Sequence, residues 1–466
     1  MEDLPGYSRY SRAAQARASS SNASSGNSRS GSTFSISLED SKAHKWLTLH
    51  VLNRSPNPTS LPRFYQGDKI VGYVDLDVLK SEPIKAITIK VTAGTTFVGQ
   101  EEDEFLKIEN ELWNPSVLLP DGSKVSKFEK GTYSWPFLIS LPSEVEVLDG
   151  KVKKTFPLPA TFSERASAGY LDYKLTVTIK RKGLNVNKTL VTSFAYVPVV
   201  RAQPPSPLFQ KAIKENLPLL GPEDDPAGWH VLPAVNIRGT LFDSRQVEVT
   251  CTLALANPLT YARGTSAPVW LTLTGTDAQA LNALSSPSTI RLSLVRSLAT
   301  GSDATVELDD SERRTDNFFL ETVSKGVFWP AADGSSRGGA VGKRVLQGEV
   351  EVKRSSKPSC LFPKFTTRYR MELRPFEAPG FVPTVSGTTT TSSSRWSSKF
   401  KFPLNAISMT PLLKHPVTIV NFPARSTTLR SRVPPEYVQG KGVDCNNSVG
   451  LLENGNRWFY HHGGDR

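Results

Sequence analysis

With 466 residues, 34 of them proline and 32 glycine, the chain is too long for one small core and too rich in helix breakers for a helical one. The net charge of +12 favours anionic partners in principle, but only 21% of residues are charged and both signs are mixed. Without a basic run interleaved with aromatics, this balance argues against nucleic acid as a partner.

Residues 1–43 read as a disordered arm, because the Ser/Asn/Gly-rich stretch from Ala18 to Ser35 has too little apolar surface to offset its ordering entropy. From about His44 the apolar pattern turns to period two. Trp46–Leu52, Tyr65–Leu76 and above all Ile84–Val91 alternate as half-buried strands do, and Tyr133–Leu141, Tyr170–Arg181 and Leu190–Val197 repeat the signal. These runs predict a β-sandwich over residues 44–200. Residues 201–228, with Pro204-Pro205-Ser206-Pro207, read as a proline-rich connector with a short helix near Leu208–Asn216. Strand signals resume at Val235–Leu241, Gln246–Ala256, Val269–Thr274, Thr289–Ser297, Gly348–Val352, Thr367–Leu373 and Val417–Phe422. They predict a second sandwich over residues 229–423, with loop insertions such as Thr384–Ser398. Residues 424–466 lose all periodicity and read as a flexible tail. The expected fold class is therefore all-β, with two tandem immunoglobulin-like sandwiches between disordered N- and C-terminal tails.

Cysteines 251, 360 and 445 lie far apart and form no CxxC pair, so neither a zinc site nor a dithiol is expected, and a reducing compartment is the natural reading. No apolar run reaches about 18 residues, and the acidic start Met1-Glu2-Asp3 lacks the apolar stretch of a secretory signal. The sequons at Asn22, Asn53 and Asn187 are accordingly expected to be chance matches.

Three stretches of the first sandwich resemble an arrestin N-domain. They are Tyr65-Gln66-Gly67-Asp68-Lys69-Ile70-Val71-Gly72-Tyr73-Val74, the strand Ile84–Val91 leading to Gly94, and Gly131-Thr132-Tyr133-Ser134-Trp135-Pro136-Phe137-Leu138-Ile139-Ser140-Leu141-Pro142. Leu158-Pro159-Ala160-Thr161-Phe162 followed by Gly169–Leu175 is similar to the family's "LPxSF…G…Y-x-L" pair. Gly239–Phe242, Leu253–Tyr261 and Gly264–Leu271 look, less closely, like an arrestin C-domain. Gly67, Gly72 and Gly131 are expected at turns or close backbone approaches, and Tyr133, Trp135, Phe137 and Tyr173 in the core. These residues identify a fold and no site.

The sharpest functional signal is Pro434-Pro435-Glu436-Tyr437, a PPxY ligand of WW domains. Consecutive prolines favour polyproline II before binding and fit an aromatic-lined groove, with Tyr437 one turn from Pro434 as the register anchor. Joined to an arrestin-like body, it resembles the arrestin-related trafficking adaptors. That resemblance implies a WW-domain HECT-type ubiquitin ligase as one partner and cytosolic tails of membrane transporters or receptors as the other. It further implies a cytoplasmic location, peripheral to the plasma membrane or endosomes. Leu4-Pro5-Gly6-Tyr7 is an LPxY variant and a candidate second WW contact through Leu4, Pro5 and Tyr7.

From Lys343 to Arg374 nine Lys/Arg face three Asp/Glu, and Lys353, Arg354, Arg368 and Arg370 fall on strand-like stretches. They are candidates for contact with an acidic membrane surface or acidic cargo. No catalytic residue, cofactor or metal site is expected. Gly338–Arg344 has one residue too few and an arginine in place of the Ser/Thr of a P-loop, His461-His462 lacks further ligands, and Glu101–Glu104 reads as solvated surface. Two rival readings stand beside the adaptor: an arrestin-fold coat subunit of retromer type, which has no use for PPxY, and a β-sandwich enzyme or sugar-binding module, which requires a pocket of convergent polar groups.

Overall fold

The computed structural model describes residues 32–54, 57, 59–116, 127–164, 167, 169–182, 186–302, 304–306, 318–331, 342–384, 410–425 and 429–437. The chain is nearly all β, and it divides into two units.

The first unit holds the described residues up to Val199, with two short excursions of later chain, Thr300–Thr305 and Phe362–Phe365. Its strands are β1 (Ser32–Glu39), β2 (Lys45–Asn53), β3 (Arg63–Tyr65), β4 (Lys69–Val78), β5 (Ile84–Phe97), β6 (Asp103–Trp113), β7 (Gly131–Ser140), β8 (Glu144–Asp149), β9 (Val152–Pro157), β10 (Gly169–Arg181) and β11 (Lys188–Val197). One sheet runs β1-β2-β4-β7 and the other β3-β11-β10-β5-β6, with β8 and β9 as a separate hairpin. Alternation decides the inward faces. Leu47, Leu49 and Val51 of β2 and Ile70, Val74 and Leu76 of β4 are buried, as are Leu171, Tyr173, Leu175 and Val177 of β10. Aromatic residues fill the interior: Tyr173 packs on Phe194 at 5.5 Å and Tyr196 at 5.3 Å between ring centroids, and Phe128 on Trp113 and Tyr133 at 4.7 and 4.8 Å.

Two sequence expectations need correction here. Strand β1 lies inside the segment 1–43 expected to be disordered. Phe34, Ile36 and Leu38 alternate among its serines, and β1 pairs with β2 from Ser32 to Glu39, which buries Phe34. The excursions Thr300–Thr305 and Phe362–Phe365 fall within the stretch 229–423 assigned to the second sandwich, yet belong to the first unit. Phe362 packs on Phe105 and Phe156, and Phe365 on Phe162 at 4.5 Å. Thr305 Oγ1 donates to Asp149 Oδ1, and Lys364 Nζ lies 2.6 Å from Asp103 Oδ2.

The second unit opens with helix α1 (Pro207–Lys214), one residue ahead of its expected start. Ser206 caps it by accepting from the Phe209 N–H, and Pro207 at the first position gives up no needed donor. The strands are β12 (Trp229–Val231), β13 (Val235–Leu241), β14 (Arg245–Ala256), β15 (Thr260–Ala262), β16 (Thr265–Thr274), β17 (Arg291–Thr300), β18 (Phe318–Pro330), β19 (Lys343–Val352), β20 (Cys360–Phe362), β21 (Phe365–Arg374), β22 (Phe381–Pro383) and β23 (Leu413–Val420). They form one curled sheet in the order β15-β23-β21-β17-β18-β19-β16-β14-β13-β22, with β12 on β14 and β20 on β21. Strand β18 makes the curl: as far as Lys325 it pairs with β17, and from Gly326 it pairs with β19. Helix α2 (Ala278–Leu284) turns Ala280, Leu281 and Leu284 into the shared core. Among the described residues, no helix is long and apolar enough to cross a membrane.

His230 and His415 of this unit pack with tilted rings, their centroids 4.7 Å apart. Burial, and then the neighbouring His230, lower the His415 pKa from its ordinary 6.5. The folded state then binds fewer protons than the unfolded chain, so this contribution to stability is complete above the ordinary histidine value and is lost as pH falls. The urea midpoint of the second unit is expected to drop between about pH 7 and about pH 5. It should drop less in His415→Asn, as denaturation at both pH values will measure.

Candidate partner-binding site

On β19, the even-numbered Leu346, Val350 and Val352 face the core of the second unit. Gln347, Glu349 and Glu351 therefore point outward. Glu351 is exposed as that parity demands, but Gln347 is buried and Glu349 is only 5% exposed. Residues 429–433 cover Glu349. Its carboxylate accepts from Ser431 Oγ, from the Arg432 N–H at 3.1 Å and from Ser266 Oγ at 3.3 Å. A buried carboxylate is tolerated only with such donors, so covering segment and acid depend on one another.

Arg432 reaches the other way. Its guanidinium donates to the carbonyls of Ala212, in the last turn of α1, and of Leu217, just beyond it, where a cation suits the helix dipole. Burial lowers its pKa and the Glu349 charge opposes that shift. Ser431 and Arg432 thus pin the chain to β19 and α1 together.

Pro434–Tyr437 follows directly. Pro435–Tyr437 form a single 3₁₀ turn against β18, closed by the Tyr437 N–H donating to the Pro434 carbonyl at 2.9 Å. Pro435 and Glu436 are exposed, while Pro434 and Tyr437 are half-buried. Two expectations are corrected: residues 429–437 are hydrogen-bonded to the body where a flexible tail was expected, and the motif is a turn where polyproline II was expected. Proline fits the first position of a 3₁₀ turn because its φ is already right and its missing N–H is not needed there.

The basic residues are arranged differently from expectation. Lys353 and Arg354 lie in the turn after β19, off the strand, and Arg354 packs its stem on Gly264. Arg368 and Arg370 share one face of β21, but Glu372 joins them there, 2.7 Å from Arg370 Nε and also within reach of Arg374, so the strip is partly neutralised. Leu4, Pro5 and Tyr7 lie outside the described residues. Glu101–Glu104 are all exposed, as expected, and Glu102 and Asp103 pair at the surface with Lys174 and Lys364.

Sequence spacing gave no sign of a Ser–His–Asp grouping on the outward face of β1-β2-β4-β7. Ser35 Oγ is 2.8 Å from His50 Nδ1, and His50 Nε2 is 3.4 Å from Asp75 Oδ2. These residues sit mid-strand on three adjacent strands, Ser35 directly opposite His50 and Asp75 diagonal to it, the arrangement of ordinary cross-strand polar neighbours. Tyr73 stacks on the His50 ring at 4.4 Å, as in ordinary cross-strand packing. A polar cavity of about 440 Å³ lies beside the β17–β18 bulge, lined by Arg291, Lys325, Arg374 and Glu377 among others. Two of its cations are already engaged, Arg291 by Glu377 and Arg374 by Glu372. Burial pushes the free thiols of Cys251 and Cys360 up to about 12, which makes them unreactive.

No family model matches the chain, and no curated protein matches it by sequence.

Proposed function

We propose that the chain is an arrestin-like adaptor that links membrane-protein cargo to a WW-domain HECT-type ubiquitin ligase. The observation that carries this reading is a PPxY sequence at the surface of an all-β body, with Pro435 and Glu436 exposed and Tyr437 half-buried. The β-sandwich body binds the cytosolic tail of a transporter or receptor, and Pro434, Pro435 and Tyr437 bind the WW domain. Ubiquitin transfer to cargo lysines then becomes effectively intramolecular, because holding ligase and cargo on one chain raises their local concentration. The ligase supplies the chemistry, so the adaptor requires no catalytic residues or cofactor of its own. This reading places the protein in the cytoplasm, at the plasma membrane or endosomes.

The test is capture of the full chain on immobilised WW domains. Tyr437→Ala is expected to abolish capture, because the tyrosine fixes the register of the bound prolines. Equal capture of both proteins would remove the ligase-adaptor reading and favour a coat subunit that binds cargo without a ligase.

A further inference from the structure

We infer that Ser431 is a phosphorylation site, and that its modification releases residues 429–437 from β19 and frees the PPxY motif for its partner. This inference rests on the WW-ligand reading of Pro434–Tyr437 and names the regulation of that site.

The 3₁₀ turn at Pro435–Tyr437 and the extended form that a WW groove accepts are mutually exclusive. Their ψ angles differ by well over 100°, and polyproline II has no internal hydrogen bond of the kind that Tyr437 donates to Pro434. Pro434 and Tyr437 are also half-buried in the docked state, although a WW domain needs both. The described chain therefore holds its motif in a form that binds poorly, and the hold lies upstream, where Ser431 and Arg432 meet Glu349 and the end of α1.

Ser431 is the vulnerable point of that hold. It is exposed, yet its hydroxyl donates to a carboxylate that is itself buried. Its neighbours Arg430 and Arg432 are cations. A protein kinase would transfer the γ-phosphoryl group of a nucleoside triphosphate to Oγ. The bond from γ-phosphorus to the β,γ-bridging oxygen breaks, the Oγ–P bond forms, the hydroxyl proton passes to a carboxylate base of the kinase, and the nucleoside diphosphate departs. A donor is thereby replaced by a near-dianion that can only accept, set against the buried Glu349 carboxylate. Should Arg432 swing across to pair with the new phosphate, it must abandon Ala212 and Leu217, and the segment loses its other anchor.

The full-length chain is titrated calorimetrically with a recombinant WW domain, and amide exchange is followed at Arg432 and Val433. Ser431→Asp and Glu349→Ala are each expected to tighten binding about tenfold, by raising the competent fraction, and to speed exchange at both amides. The double variant should do no more than either single one, because the added charge has nothing left to repel. Where Glu349→Ala does not reproduce the wild-type melting profile, Ser431→Asp alone decides through exchange. Unchanged affinity and exchange in Ser431→Asp, with Tyr437→Ala still abolishing binding, overturns the inference and leaves the WW reading intact. Binding that survives Tyr437→Ala removes the WW reading and with it this inference.

Discussion

Tyr173→Ala is expected to destabilise the first unit by about 4 kcal/mol, near the upper range for deleting a large buried side chain. Tyr173 has no exposed surface, and its ring touches those of Phe105, Phe194 and Tyr196, so neighbouring strands cannot close the hole without moving several aromatics. Its hydroxyl donates to the Pro159 carbonyl at 2.5 Å, which ties the loop after β9 to the middle of β10. Tyr173→Phe separates the two contributions. It keeps the packing, strands one buried carbonyl, and should cost about 1–2 kcal/mol. Urea denaturation of the three proteins measures both. A loss of under about 1 kcal/mol for Tyr173→Ala would mean that the site collapses freely and is not the packed centre described here.

Gly72→Ala is expected to be at least as damaging, about 3 kcal/mol or more, and to reduce soluble yield. The added Cβ would stand 2.1 Å from the His50 carbonyl oxygen on the neighbouring strand and 2.7 Å from Cζ of Phe137, which covers the glycine from β7. A ring can turn aside, but a carbonyl fixed in the β2–β4 ladder cannot. Gly72→Ala is therefore expected to stay destabilised when combined with Phe137→Ala; rescue by that second change would make the ring the true obstacle. Gly67→Ala is the control. Its φ of +87° makes the substitution strained, but nothing lies within 4 Å of the new methyl, so a cost nearer 1–2 kcal/mol is expected.

These residues also mark how far the sequence could be read. Tyr133–Leu141 and Tyr170–Arg181 alternate because one face meets a core and the other is more open, and β7, ending at Ser140, and β10 realise them, whereas β5, which contains Ile84–Val91, is buried on both faces from Ala86 to Ile89. Gly67 and Gly131 do take positive φ, and Gly72 does meet a close backbone approach. Strand β6 was missed because its polar face is densely acidic, with Glu104, Glu109 and Glu111 exposed, which masks the alternation of its apolar residues. As the last strand of its sheet it gains from such charges, which discourage pairing with another chain. Strand β18 was missed because it changes neighbours at Gly326, and no single face keeps one environment along its length.

The candidate site was legible only in part. Pro434-Pro435-Glu436-Tyr437 is a local pattern and could be found. Its anchoring could not, since Arg432 bonds to backbone carbonyls more than 200 residues earlier, and carbonyls carry no side-chain signature. Glu349 sits in an ordinary alternating strand, where parity alone predicts a solvated acid.

The change of neighbours by β18 makes the second unit indivisible. A strand whose first part completes one ladder and whose second part completes another leaves no place to sever the unit into halves that each satisfy their own backbone. Loss of order on either side of Gly326 strips hydrogen-bond partners from the other side as well, so this half of the molecule melts as a whole.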